Sequence, residues 1–450
     1  MLTNGKSASH RIGLALAGGG PEGAVYELGV LRALDEALDG VDFNALPVYV
    51  GVSAGAFIGA NLANGITTAQ NVRAIVKHEP GEHPFVPQTF FTPAIGELLH
   101  RTLMAPSLLR EAMVEYIKRP YDLTLIESLL RLSRALPVGL FDNEPIRAYL
   151  SKIYSLDGRT DDFRKLRAKL YIVATELDSG RAVRFGEAGH DHMPISVAVQ
   201  ASSALPGLYP PVLVDGRHYV DGVLLKTLHA SVALEAGARL VICVNPIVPV
   251  DTLKADEDGA VRRNLTELGL PTVLSQTFRT LIHSRMTVGI AAYAPRYPSR
   301  DIVLFEPQPD DYRMFFTNIF SFASRKELCE YAYRATRRDL LRRYDELSPV
   351  FARHGVRLRR DVLVDSMRDL WVGVGLDGGS RPDTVAGILP LTTALDRALD
   401  SLEALVAIEQ VREDVRQAAP RGNPRRTRST RPGRGASSPR VRRKSAARRR

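Results

Sequence analysis

Two apolar runs near the start of the chain break at glycines and then resume at helical spacing. The run at residues 12–17 ends in Gly18-Gly19-Gly20-Pro21-Glu22-Gly23, after which Ala24, Val25, Leu28, Leu31, Leu34 and Leu38 recur every three or four positions. Strand, glycine loop and helix follow from that pattern. Val48-Tyr49-Val50 then runs into Gly51-Val52-Ser53-Ala54-Gly55 and a small-residue stretch, which predicts a second strand, a tight turn with Ser53 at its apex, and a buried helix. Thr67-Thr68 caps a helix over 69–77, and Asp142 or Asn143 caps another beginning near Pro145. Strands are expected at 170–175 and 240–244, a small-residue helix at 194–204, and a hairpin across Asp215-Gly216. Beyond residue 250 the pattern is mainly helical, over 271–294, 331–344, 356–370 and 391–411, with one late strand at 302–305. In the first of these helices Val273, Leu274, Phe278, Leu281, Ile282 and Met286 are expected on one face. Strands alternating with helices make this an α/β chain.

Composition changes the picture mainly at the C-terminus. The 450 residues are 45% hydrophobic and 24% charged, enough for a large core. The net charge is +10, but residues 421–450 hold thirteen Lys and Arg and no acid, so residues 1–420 carry −3. A mildly acidic body with a basic arm is not a basic nucleic-acid-binding domain. Residues 43–72 lack any charged side chain, yet Pro47, Gly51, Gly55, Gly59 and Gly65 break them into a strand and a helix rather than a membrane span. Cys243 and Cys329, the chain's two cysteines, give no disulfide framework and no thiolate metal cluster. The polar residues 1–11 lack a signal-peptide core, which makes the cytoplasm the expected compartment. The expected organisation is a flexible 1–10, a catalytic domain over 11–250, a helical extension over 251–417 and a disordered Arg-rich tail over 418–450.

Three stretches carry chemistry. A G-x-S-x-G turn pushes a hydroxyl out of a sheet, which makes Ser53 the candidate nucleophile, with Gly51 and Gly55 there for clearance. A glycine loop entering a helix turns backbone N–H groups toward an anion, either a pyrophosphate or a tetrahedral oxyanion. G-G-G-P-E-G keeps only a loose dinucleotide fingerprint, with no clear second-strand acid after it. As parallel neighbours, the two loops would lie at one edge of the sheet. Asp221 ends a strand at Gly222, where a carboxylate either faces a site or caps the turn. His229 and His283 leave a Ser-Asp-His triad open as a competing arrangement, although Ser53 comes early for that fold. Asp256-Glu257-Asp258-Gly259 lacks the ligand alternation of a calcium loop, and the aromatic patch at 314–320 reads as core, with lipid contact as the alternative.

Taken in order, Gly18-Gly19-Gly20-x-x-Gly23, Gly51-x-Ser53-x-Gly55 and Asp221-Gly222 make residues 10–250 resemble the patatin-like phospholipases. The Gly139-Leu140-Phe141-Asp142-Asn143 segment and the approach to Asp221 over 201–211 share the resemblance. It implies a three-layer α/β/α core and phospholipase A or lysophospholipase-like hydrolysis of lipid acyl esters, with neither metal nor cofactor. It also implies Ser53 as nucleophile, Asp221 as its base, and the N–H groups around Gly18, Gly19, Gly20 and Gly23 as oxyanion hole. The chain departs from the family at Glu22, where Arg or Lys is usual, and a carboxylate pointing inward would oppose an oxyanion. A catalytically silent scaffold binding lipid or an acidic partner is the reading from a different class. The 421–450 tail is expected to contact anionic membrane peripherally rather than nucleic acid.

Overall fold

A computed structural model describes residues 11–77, 79, 83–85, 91–96, 101, 107, 110, 137–251, 264–308 and 322–376. Eight strands form the main sheet: β1 (Ile12–Leu16), β2 (Val48–Gly51), β3 (Lys169–Glu176), β4 (Arg181–Phe185), β5 (Val212–Val214), β6 (Arg217–Asp221), β7 (Leu240–Val244) and β8 (Asp301–Phe305). From β8 the order is β7, β1, β2, β3, β6, β5, with β4 on β3 as well. Strands β8, β7, β1, β2 and β3 run parallel, whereas β4, β6 and β5 join by antiparallel pairing.

The eight-residue β3 decides how the sheet brings distant residues together. Ile172 pairs with both Gly51 of β2 and Phe185 of β4, and Ala174 pairs with both Val183 of β4 and Asp221 of β6. A strand residue has only two edges. Strands β2 and β6 must therefore share the edge of β3 opposite β4, one after the other. The end of β2 and the end of β6 meet there.

Side chains alternate across the sheet with period two, and each face has its own helices. Ile12, Leu14 and Leu16 of β1 enter a core with α1 (Gly20–Ala37), α2 (Ala54–Ala63), α3 (Glu144–Tyr154), α4 (Ile195–Ser202) and α7 (Phe322–Arg342). Ala15, Val48, Val50, Val241 and Cys243 pack on the other face against α5 (Ala230–Glu235) and Met286 of α6 (Leu270–Ala291). The result is a three-layer α/β/α body. All described residues belong to the first of two units, Met1–Gly378.

The late strand becomes β8, and α7 packs along α1 so closely that a Cβ on Gly29 would stand 2.4 Å from the Cys329 carbonyl oxygen. Polar ties reinforce that contact. The buried Arg32 donates to Asp35, Glu36, Thr68 and the Gly373 carbonyl, and the Tyr333 hydroxyl donates to Glu36 at 2.7 Å. Thr67 makes the expected cap, a full capping box with Gln70.

Three expectations change. The helix expected at 331–344 begins earlier, as α7, and α8 (Tyr344–Arg353) follows it directly. The helix expected over 356–370 splits into strand Arg357–Leu358 and short helices Arg360–Val364 and Leu370–Gly373, because Asp369 accepts the N–H groups of Trp371 and Val372 and starts a new helix. The apolar face expected on α6 divides: Met286 is buried and Ile282 half-buried, while Val273, Leu274, Phe278 and Leu281 point to solvent. The stretches 256–259, 314–320, 391–411 and 418–450 lie outside the described residues.

Candidate active site

Ser53 stands between β2 and α2 with φ 52° and ψ −119°, a left-handed backbone that costs a non-glycine residue free energy and persists only where neighbours hold it. The holding contact is visible. The Ser53 N–H donates to Ser202 Oγ at 2.9 Å, and that hydroxyl donates to the Val173 carbonyl at 2.6 Å. One side chain of α4 thus ties the turn to β3. The flanking glycines are needed for clearance: a Cβ at Gly51 would fall 2.4 Å from Ala56 Cα, and one at Gly55 would fall 2.5 Å from the Leu16 carbonyl carbon.

Asp221 ends β6 and is 2% exposed. Its N–H donates to the Ala204 carbonyl at 2.9 Å, and its carbonyl accepts the Thr175 hydroxyl at 3.2 Å. Of the two roles open to this carboxylate, the cap is visible. Oδ1 accepts the Val223 N–H at 2.9 Å and so caps the turn, and the Ser53 hydroxyl is near enough to the same carboxyl group to lower its pKa. Burial pushes its pKa up to about 7, with the Val223 N–H and the Ser53 hydroxyl pulling the other way. Gly222 lets the chain turn here, since a Cβ on it would meet the Val173 carbonyl oxygen at 2.3 Å.

The glycine loop lies against this pair. A Cβ on Gly18 would stand 3.3 Å from both Ser53 Cβ and Val223 Cγ2, so Gly18 borders the serine and the turn after Asp221. Gly19 packs under Pro246, whose Cγ would be 2.5 Å from an added Cβ, and its carbonyl accepts the Gly23 N–H at 3.0 Å. Gly20 opens α1 with φ 64°, followed by Pro21. Among the described residues, the N–H groups of Gly18, Gly19 and Gly20 donate to no backbone carbonyl. They are the free donors of a helix N-terminus beside a buried hydroxyl.

Glu22 is where the structure adds most to the sequence. Its carboxyl pKa is raised by burial, and the charge of Arg279 on α6 acts against that rise. Burial lowers the Arg279 pKa in turn, and Glu22 works against it. A cation is therefore present near the glycine loop after all, contributed by a helix some 250 positions later. Sequence reasoning passed over Arg279; its one signal was that it and Arg285 are the charged residues of an otherwise apolar-patterned helix.

The Gly139–Asn143 segment acts at one remove. Gln200 of α4 donates to Asn143 at 3.1 Å, and Asn143 donates back to the Gln200 carbonyl at 3.3 Å. This clamps α4, the helix that delivers Ser202 to Ser53 and leads to Ala204 at Asp221. His229 is buried, its pKa lowered to about 3 by burial first and by the Lys226 charge next, and its Nε2 has no hydrogen-bond partner. His283 lies 3.7 Å from Glu306. Among the described residues no hydrogen bond joins either histidine to Ser53 or Asp221, and no cluster of His, Cys, Asp and Glu could hold a metal ion.

Residues 14–234 match the model of the patatin-like phospholipase family. These residues are a patatin-like phospholipase domain. Among solved structures, VipD from Legionella pneumophila is 18% identical over 55% of this chain, with TM-score 0.28. The type III effector protein ExoU is 15% identical over 91% of this chain, with TM-score 0.32. The chain spans about half of VipD (52%) and 66% of ExoU. At these TM-scores neither likeness extends to the arrangement of the whole chain. Among its described residues no helix is long and apolar enough to cross a membrane.

Proposed function

We propose that the chain is a serine acyl hydrolase that cleaves lipid acyl esters, of phospholipase A or lysophospholipase type, with residues 11–250 as its catalytic region. Ser53 Oγ attacks the ester carbonyl carbon while its proton passes to the Asp221 carboxylate. The oxyanion is met by the N–H groups of Gly18, Gly19 and Gly20. Collapse breaks the ester C–O bond, and the departing alkoxide takes the proton from Asp221. Water then gives a proton to Asp221 as it attacks the acyl-serine, and the second collapse frees the fatty acid and returns the proton to Ser53.

The observation that supports this reading is the strained turn at Ser53 beside a carboxylate buried to 2% exposure, whose pKa the Ser53 hydroxyl lowers. A base with a pKa of about 7 is matched to accepting and returning a proton near neutral pH. Burial also removes water that would compete for the carboxylate. The basic 421–450 tail is proposed to hold the enzyme near anionic membrane through salt-sensitive attraction.

A panel of phospholipid, lysophospholipid and neutral-lipid esters tests the assignment. Ser53→Ala and Asp221→Asn are each expected to lower kcat by about 10³-fold or more. The wild-type rate should rise with pH through about 7, because only the ionised Asp221 accepts the serine proton. Hydrolysis that persists in Ser53→Ala assigns the activity elsewhere. Loss on replacing His229 and His283, with Asp221→Asn active, would favour a triad.

A further inference from the structure

We infer that the solvent-facing side of α6 is a membrane-docking surface that seats the mouth of the site on an anionic phospholipid bilayer. The inference deepens the proposed lipid hydrolysis and rests on it for the choice of partner.

Helix α6 is fastened along the loops that leave the functional ends of β6 and β7. Gln276 donates to the Val250 carbonyl at 2.7 Å and accepts its N–H at 3.2 Å. His283 approaches Glu306, which accepts from Asn245 at 3.1 Å. Arg285 donates to the Leu224 carbonyl at 3.5 Å, three residues beyond Asp221. Pro246, between those anchors, is the residue packed on Gly19. The inward side of α6 is used up in this way, with Met286 buried behind it.

The outer side carries a run of exposed apolar side chains among threonines and serines. Leu270 is 68% exposed, Leu274 45%, Phe278 52%, Leu281 56% and Val288 70%. At 100° per residue these five fall within one stripe about 80° wide along five turns, with the exposed Arg285 inside it. An apolar stripe of that length on a protein surface marks an interaction site. Its occupant is identified by charge and by place. Residues 268–300 contain no Asp or Glu, and Arg285 and Arg296 are exposed there, a sign that suits anionic headgroups. Leu224 lies exposed under Arg285, and Leu205, exposed too, follows Ala204, the residue that accepts the Asp221 N–H. Two exposed leucines thus stand next to the segments that hold and follow Asp221. The helix does not qualify as a span, and a helix of this kind lies in the interface plane with its apolar side among the acyl chains.

The test uses full-length Ser53→Ala protein and vesicles of phosphatidylcholine with phosphatidylserine, so binding is read without hydrolysis. The combined change Leu274→Ser, Phe278→Ser and Leu281→Ser should weaken co-sedimentation by at least about tenfold, and binding of the parent should survive in high salt. The same triple change in otherwise wild-type protein should leave turnover of a water-soluble short-chain ester unaltered. Phe278→Trp supplies a second readout independent of how the triple variant folds. The chain's single tryptophan, Trp371, is 5% exposed, so a blue shift and quenching by brominated lipid would report residue 278. Unchanged binding of a folded triple variant, or an unquenched Trp at 278, overturns the inference. So does a dimer that the triple change dissociates, which would give the stripe to a second copy. Quenching at 278 by a protein that hydrolyses no ester keeps the docking surface and discards the esterase.

Discussion

Helices α1 and α6 both reach the glycine loop, and they are buried to opposite degrees. Helix α1 has the sheet on one side and α7 on the other, and thirteen of its eighteen residues are buried. Helix α6 is longer, at 22 residues, and carries as clear an apolar pattern, yet its leucines and Phe278 face outward. An apolar pattern therefore reports that a helix has an apolar partner, not that the partner is the protein's own core. For α1 the partner is a second helix that fits against a residue without a side chain, Gly29.

The sharpest way to break that contrast is to separate α1 from α7. In Gly29→Val the first added atom would stand 2.4 Å from the Cys329 carbonyl oxygen and 2.7 Å from Ala332 Cβ, and backbone cannot yield as a flexible side chain does. Overpacking of this kind is expected to cost about 3 kcal/mol, measured as a lowered midpoint in chemical denaturation. A change smaller than about 1 kcal/mol would mean that α7 is held only loosely on α1.

How much of this could be read beforehand follows the same division between local and distant partners. The turn at Ser53, the glycine loop, the hairpin at Asp215-Gly216 and the cap at Thr67 are all short-range: a few consecutive residues state both the geometry and its cause. The meeting of Ser53 with Asp221 is long-range, and it depends on Ile172 and Ala174 pairing along one edge of β3, which no local pattern encodes. Motif order could suggest that meeting only through the family resemblance. Ser202 looked like one more small residue in a packing helix, though its hydroxyl holds the Ser53 amide. The split face of α6 was hidden for a different reason, since periodicity gives the spread of apolar residues around a helix but not which part of it turns inward.

A second prediction concerns the point where the two helices influence each other, Glu22 on α1 and Arg279 on α6. With Arg279 removed, Glu22 would sit uncompensated near the oxyanion donors. Arg279→Ala is therefore expected to lower kcat about fivefold to tenfold, on the order of 1 kcal/mol, with stability little changed. Adding Glu22→Gln should restore most of that loss, because the charge needing compensation is then gone. Two single changes that simply add in the double variant would show that the helices do not communicate through this pair.

The smallest expected effect is the most telling for the rim. Leu31 in α1 is fully buried, and Leu31→Ala removes packed methyl groups from a core that collapses only in part, which costs about 2–5 kcal/mol. Leu281 in α6 is 56% exposed, so Leu281→Ser gives up little burial and exchanges an apolar contact with water for a polar one. Its effect on the denaturation midpoint should stay within about 0.5 kcal/mol. The same residue type on two helices of one site then differs severalfold in its cost. A loss at Leu281 approaching that at Leu31 would mean the stripe is covered within the folded chain in solution, and α6 would then be a second α1 whose partner is part of the protein itself.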